Sequence, residues 1–522
     1  MTFGRIRSVI VCLVLVCAAC GRFVSTKSEL HYGLTLVPTG IDPHINKSSE
    51  LGIPLASVYD TLVFRDPAGG FVPGLAQRWE ISIDGLQYTF FLRHDVHFQD
   101  GTPFNAQAVK VNLERILDPA NKSQQARFMI DSVQSVTVVD DYTVRLQLAE
   151  PFAPLLDSLS QVYLGMASPA ALKKWGKDYS FHQVGTGPFR FVEYVPGDHL
   201  TLERNLDYAW GPSIYRNKTA QVLRIIFRFY EDPATRAPAL LSGEADVMGE
   251  VLPMDADSLK KDGRFSVYPV NIPGQPLQFF FNIRQPPTDD VLVRQALLAA
   301  TDREGLVQTV FGFSSPVAIG PLTASTWGAA GVVPASVFNR ESADLLLRQA
   351  GWVDSNGDGV REKDGQPLRL KVVYPTWGLT PQVADLLELQ WKQIGVAVDL
   401  LQVPSFSALV DAQAGGAYNL ISINQVGTDP YLLGSYFQTG AANNWTGIDD
   451  ARLNSLLLDA ARSGNDADRL EFYRQAQIEI ASQYLILPIR DYVNLNVAAR
   501  HVQGLHFTAQ GWFPVLIDVG LG

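Results

Sequence analysis

Three consecutive segments constrain the fold more than any other part of the chain: LRLKVVY at 368–374, PQVADLLELQWKQI at 381–394 and VAVDLLQV at 396–403. The outer two carry the β-branched and apolar runs of strands, and the middle one places apolar residues at helical spacing. Strand, helix and strand joined so tightly predict a βαβ unit with parallel strands and a right-handed crossover. This half of the chain is therefore α/β.

The remaining elements are less regular. LQYTFFL (86–92) reads as a strand, and Val144, Leu146 and Leu148 alternate with Thr143, Arg145 and Gln147 in another. Between them Asn105 is placed to cap a helix over NAQAVKVNLERIL that stops before Pro119. Strands and helices mix here without strict alternation, an α+β signature. Two long helices are expected near Asp450 to Arg462, with Leu453, Leu456, Leu457 and Ala460 on one side, and from an Asn465 cap to about Ser482. ILPIRDYVNLNV then returns to strand character. At 522 residues the chain is long enough for two to four domains, yet no linker or low-complexity tract separates its halves, so they are expected to pack together.

Composition excludes several classes. With 47% hydrophobic and 18% charged residues the chain is neither disordered nor membrane-spanning, and a net charge of −11 argues against a nucleic-acid partner. All three cysteines, Cys12, Cys17 and Cys20, fall in the first twenty residues, behind Arg5 and Arg7 and within or just after an apolar run. That arrangement is a secretory signal, and Ala18-Ala19-Cys20 resembles a bacterial lipobox in which the cysteine is acylated. Cys17 stands where that pattern usually has leucine. An uncleaved anchor and an ordinary signal cut nearby are the alternatives. A chain beginning at Cys20 has no disulfide, thiolate metal site or cysteine nucleophile available to it.

Signatures of common enzymes are missing: there is no HExxH, GxSxG, P-loop or GxGxxG. His94 and His97 in LRHDVHF point to opposite faces of a strand, which disfavours a shared metal. The stretch WVDSNGDGVREKDG (352–365) opens like a calcium loop, with Asp354, Asn356 and Asp358 alternating before Gly359. Its twelfth position, Gly365, lacks the bidentate carboxylate, and a strand rather than a helix follows. A turn built on Asn-Gly and Asp-Gly pairs is the expected reading, with weak calcium binding as the alternative. No metal and no cofactor is expected.

Several runs, taken in order, resemble the extracytoplasmic solute-binding proteins of peptide and nickel ABC transporters, family 5. They are Tyr59 to Pro119 (YDTLVFRDPAGGFVPGLAQRWE onward), Gly185 to Gly211, Phe229 to Val247, Phe279 to Val307, Gly320 to Gly328 and Asn339 to Leu368. The resemblance implies an α/β, two-lobed periplasmic-binding-protein-like fold of type II, with an extra subdomain in lobe I and a hinge between the lobes. It divides the chain into a signal peptide (1–19), a lipidated tether (20–29), lobe I (30–271, with an inserted subdomain at about 55–175), lobe II (272–500) and a return to lobe I (501–522).

The function it implies is that of a non-catalytic, exported receptor, lipid-anchored through Cys20 at the outer face of the cell membrane or in the periplasm. It would act as a monomer, capture a solute, foremost an oligopeptide, and deliver it to an ABC permease. Another organic solute such as a sugar or opine, a metal chelate, or a sensor or enzyme on the same scaffold are the alternatives. By resemblance Asp429 in VGTDPYLLGSYF, with Tyr431 beside it, would meet a peptide ammonium; capping the following helix is its other possible role. Dipeptide-type relatives place an Arg after the lobe II strand, where this chain has Trp377 and Gly378. Trp377, Trp327 and Trp445 are therefore candidates for an apolar cleft wall, with core packing the alternative for each.

Overall fold

Strands Arg369–Pro375 and Ala397–Val403 pair in parallel around helix Thr380–Lys392, so the βαβ unit forms where the spacing predicts it. Val383, Ala384, Leu387 and Trp391 form the helix's buried stripe. Trp391 is fully buried, and its indole N–H donates to Thr301 Oγ1 at 3.0 Å, which satisfies its one polar group. The computed structural model describes residues 28–38, 40–45, 51–332 and 338–522. Cys20 and the export segment lie outside the described residues.

The βαβ strands belong to a five-stranded sheet in the order Ala397–Val403, Arg369–Pro375, Leu420–Ser422, Leu277–Phe281, Ile486–Arg490. A second, seven-stranded sheet runs Phe265–Asn271, Val493–Ala499, Val247–Met248, Glu29–Leu34, Arg224–Phe229, His199–Arg204, Phe189–Val195. Each sheet has its own helices and core, giving two lobes. Two segments cross between them side by side. Asn271 pairs with Val493 at one end, Leu277 with Arg490 at the other, and Ile272 N–H donates to Tyr492 O at 2.9 Å between them. The seven-stranded sheet already contains Val493–Ala499, so the chain re-enters it before His501. Trp512, Phe513 and Leu516 then pack into the same lobe's core.

A four-stranded antiparallel sheet, Ala76–Ile81, Gln87–Leu92, Thr143–Leu148 and Val133–Asp140, forms a further layer. Helix Ala106–Leu117 packs on it, and Asn105 caps that helix by accepting the Ala108 N–H at 3.0 Å. Replacing Asn105 by alanine is expected to cost about 1 kcal/mol of unfolding free energy in urea titrations. His94 stacks on Tyr142 with ring centroids 3.9 Å apart, and His97 lies in a bridge to Pro103.

The calcium-like loop sits between helix Arg340–Gln349 and the small hairpin Glu362–Lys363/Gln366–Pro367, not between two helices. Asp354 accepts the N–H groups of Gly357 and Gly359, at 2.7 and 3.1 Å. Asp364 and Gly365 take left-handed φ values of 52° and 74°, as a tight hairpin turn requires. Glu362 curls back over the turn, where it accepts from Ser355 and Asn356. The three carboxylates of Asp354, Asp358 and Glu362 approach within 4.8 Å of one another.

Candidate functional site

In open α/β sheets the space beyond the carboxyl ends of parallel strands is where ligands sit, because chain reversals there leave a crevice. Both sheets offer such ends to the same space. Strands Glu29–Leu34, Val247–Met248, Arg369–Pro375 and Leu420–Ser422 are followed by Thr35, Glu250, Trp377 and Asn424, all of which line one cavity of about 670 Å³. The crossover segment from Arg490 to Leu495 forms another of its walls. The cavity thus touches both lobes and the connection between them, and its size falls within the ~300–1,000 Å³ usual for small-molecule sites.

Its charges are unevenly satisfied. Arg236 is buried and donates to the backbone carbonyls of Tyr230, Glu231 and Glu250, so its charge is held by the fold. Arg490 differs. It ends the strand ILPIR, every residue of which is buried. Its guanidinium carbon lies 3.8 Å from the Phe311 ring centroid and 4.8 Å from that of Tyr492. One amino group donates to Ser315 Oγ at 2.6 Å, while the buried Nε has no hydrogen-bond partner among the described residues. Burial pulls its pKa down to about 10, against the opposing influence of Tyr492, Glu250 and Asp491.

Glu250 is held beside it. Its carboxylate accepts from Thr35 Oγ1 at 2.8 Å and from the Tyr492 hydroxyl at 2.9 Å, and its N–H donates to Asn494 Oδ1 at 2.8 Å. These bonds fix a non-glycine residue at φ 47°, a left-handed conformation that costs about 1 kcal/mol or more. Nothing in the local sequence GEVLP marks that position.

The five expected contact residues are placed differently from one another. Trp377 is 42% exposed, on the loop after strand Arg369–Pro375, and lines the cavity as an apolar wall. Trp445 is 1% exposed in the core, against Phe280 and Tyr436. Trp327 lies over Arg469, 4.9 Å from its guanidinium carbon. Asp429 is buried, and both its carboxylate oxygens accept from Arg469, at 2.9 and 2.8 Å. Its Oδ1 also accepts the Tyr431 N–H at 2.9 Å, just ahead of helix Leu432–Phe437, whose N-terminus has no side-chain cap. The Tyr431 ring packs edge-on against Phe152 and stacks on Phe128, across to the other lobe.

Asp429 therefore belongs to a second set of interlobe contacts. Its neighbour Thr428 donates to Asp157 Oδ1 at 2.5 Å, and Arg65 holds the same oxygen. Burial foremost raises the Asp157 carboxyl above the usual range, Arg65 opposes that rise, and Asp429 adds to it. Arg462 pairs with Glu150 at 2.7 Å, and Ala153 N–H donates to Ala461 O at 2.8 Å. Arg490 and Glu250 were not anticipated as site residues. An arginine inside an otherwise apolar strand run, ILPIR, was the available signal.

Two lobes, a paired crossover and a polar cavity at converging strand ends define a two-lobed solute-binding protein. The model for bacterial extracellular solute-binding proteins, family 5 (middle region), matches residues 70–446. The chain belongs to that family, whose members are transport substrate-binding proteins that work outside the cytoplasm and not enzymes. It is 27% identical to the di/tripeptide-binding protein 1 of Pseudomonas aeruginosa over 484 residues, 87% of each chain. It is 28% identical to the glutathione-binding protein GsiB of Pectobacterium atrosepticum over 463 residues, 85% of this chain and 84% of that one. Among solved structures, NikA from Brucella suis in complex with Fe(III)-EDTA superposes with a TM-score of 0.86 at 25% identity, covering 95% of this chain and 100% of that one. No helix among the described residues is long and apolar enough to cross a membrane.

Proposed function

We propose that this protein is the substrate-binding component of an ABC importer. It captures a short peptide in the interlobe cavity, closes over it and presents it to a membrane permease, tethered to the membrane through an acylated Cys20. The observation that carries this reading is the cavity, at strand ends from both lobes and against the paired crossover, where closure changes how much of a bound solute is enclosed. The di/tripeptide-binding and glutathione-binding relatives favour a peptide. An apolar Trp377 face opposite polar groups on the crossover suits a backbone with side chains. A metal–carboxylate chelate is the second reading, favoured by the Fe(III)-EDTA bound to the Brucella suis relative.

Thermal unfolding of the purified protein against di- and tripeptides, sugars and metal chelates tests it. A solute that binds only the native state stabilises it by about 2.7 kcal/mol at a hundredfold excess over its Kd. Peptides are expected to raise the midpoint. A midpoint raised by a sugar and unmoved by every peptide would sink the peptide reading and leave the family untouched.

A further inference from the structure

Four charged side chains line the cavity: Glu231, Arg236, Glu250 and Arg490. Arg236 is committed to backbone carbonyls, and Glu250 to the Thr35 and Tyr492 hydroxyls. Arg490 has no carboxylate partner among the described residues. Tyr492 contributes to that separation, since its ring lies against the guanidinium while its hydroxyl engages Glu250. Glu250 and Asp491 act on this cation only through space. A buried cation with no directly paired carboxylate is costly, and cation–π contacts recover only part of that cost, on the order of 1–2 kcal/mol each when desolvated. Such a group persists where its partner arrives from outside.

The loop after strand Arg369–Pro375 supports the same assignment. There the chain presents Trp377 and Gly378, so no cation comes from that side of the cavity. Asp429 brings no free charge either, because Arg469 holds both its oxygens.

We propose that Arg490 is the specificity-determining residue of the cavity, anchoring a carboxylate of the bound solute at the crossover between the lobes. This rests on the interlobe cavity being the binding site. A guanidinium fork is the cation that a carboxylate matches, and Phe311 and Tyr492 lie against this one. The carboxylate comes either from a peptide C-terminus or from the donor arm of a chelator.

Calorimetric titration of the purified protein with trialanine, trialanine amide and Fe(III)-EDTA distinguishes these sources. Losing one partner of a buried, hydrogen-bonded charge pair weakens binding about 30-fold or more. Trialanine is therefore expected to bind at least about 30-fold more tightly than its amide, and Arg490→Gln is expected to erase that difference while Arg490→Lys keeps part of it. If only Fe(III)-EDTA binds, and binds more weakly to Arg490→Gln, the anchor stands and the peptide reading fails. If trialanine and its amide bind alike, and Arg490→Gln binds both as the parent does, the anchor fails and the peptide reading stands. A variant that melts earlier yet keeps full affinity for trialanine also overturns the anchor, because Arg490 would then serve only to hold its strand. The amide comparison uses the unaltered protein, so equal binding of the two would overturn the anchor even if Arg490→Gln does not fold.

Discussion

Arg469→Ala is expected to lower the unfolding free energy by about 3–5 kcal/mol, read as a shift of the urea midpoint at unchanged slope. The arginine is buried on helix Asp466–Ser482 and makes three kinds of contact at once. It donates to both oxygens of Asp429, its Nε donates to Ala460 O at 3.1 Å, and its cation lies against Trp327. Removing it leaves Asp429 a buried carboxylate with only the Tyr431 N–H for company, near Asp157. The loss is therefore mostly the penalty of stranding a charge, not the worth of the pair. Removing both charges tests this: Arg469→Met with Asp429→Leu should recover most of the midpoint. A ligand ammonium reaching Asp429 would have to compete with Arg469 for the same two oxygens.

Acid is expected to weaken the fold through one histidine. His44 is buried, with Nε2 donating to Gly165 O at 3.0 Å and Nδ1 accepting from Arg115 at 2.7 Å. Desolvation, followed by the Arg115 charge, lowers its pKa from 6.5 to about 4, while Asp42 pulls the other way. Its folded value thus lies below its unfolded one, so the unfolded chain takes up the proton first. The stability contribution is complete above about pH 7 and declines as pH falls from 6.5 towards 4, by roughly 3 kcal/mol in all. His44→Gln offers Gly165 an amide N–H and Arg115 an amide oxygen without titrating. The difference in unfolding free energy between parent and variant should therefore shrink across that window. A difference that stays flat from pH 7 to pH 4 would show that the imidazole does not carry the effect.

How much of this was legible beforehand depends on whether the deciding partner is local. The βαβ unit, the Asn105 cap and the stripe Leu453, Leu456, Leu457, Ala460 follow from period and neighbours within a turn, and the structure has all of them. Asp429 was visible as a residue but not as half of a pair. Its partner lies 40 positions away on a helix whose own pattern gives no hint of that contact. Trp445 and Trp377 look equivalent in sequence and differ only because one follows a strand into the cavity while the other falls under Phe280. Arg490 is unmarked in the sequence because ILPIRDYVNLNV reads as strand, and its meaning depends on Phe311 and Tyr492 closing around it.

The paired crossover has a mechanical consequence. Two antiparallel ribbons bend about their shared middle, so displacement on opening grows with distance from them. Arg490 stands at one end of that pairing, on the edge strand of its sheet. Trp377 follows a strand three places further along, roughly 14 Å away at the usual strand spacing. A solute lying between the two would have one end almost at rest and the other carried through the full swing of the lobe. With the proposed anchor and closure, the protein would work as a caliper with one nearly fixed jaw: charge would be read close to the pivot, and length as the angle at which the moving jaw stops.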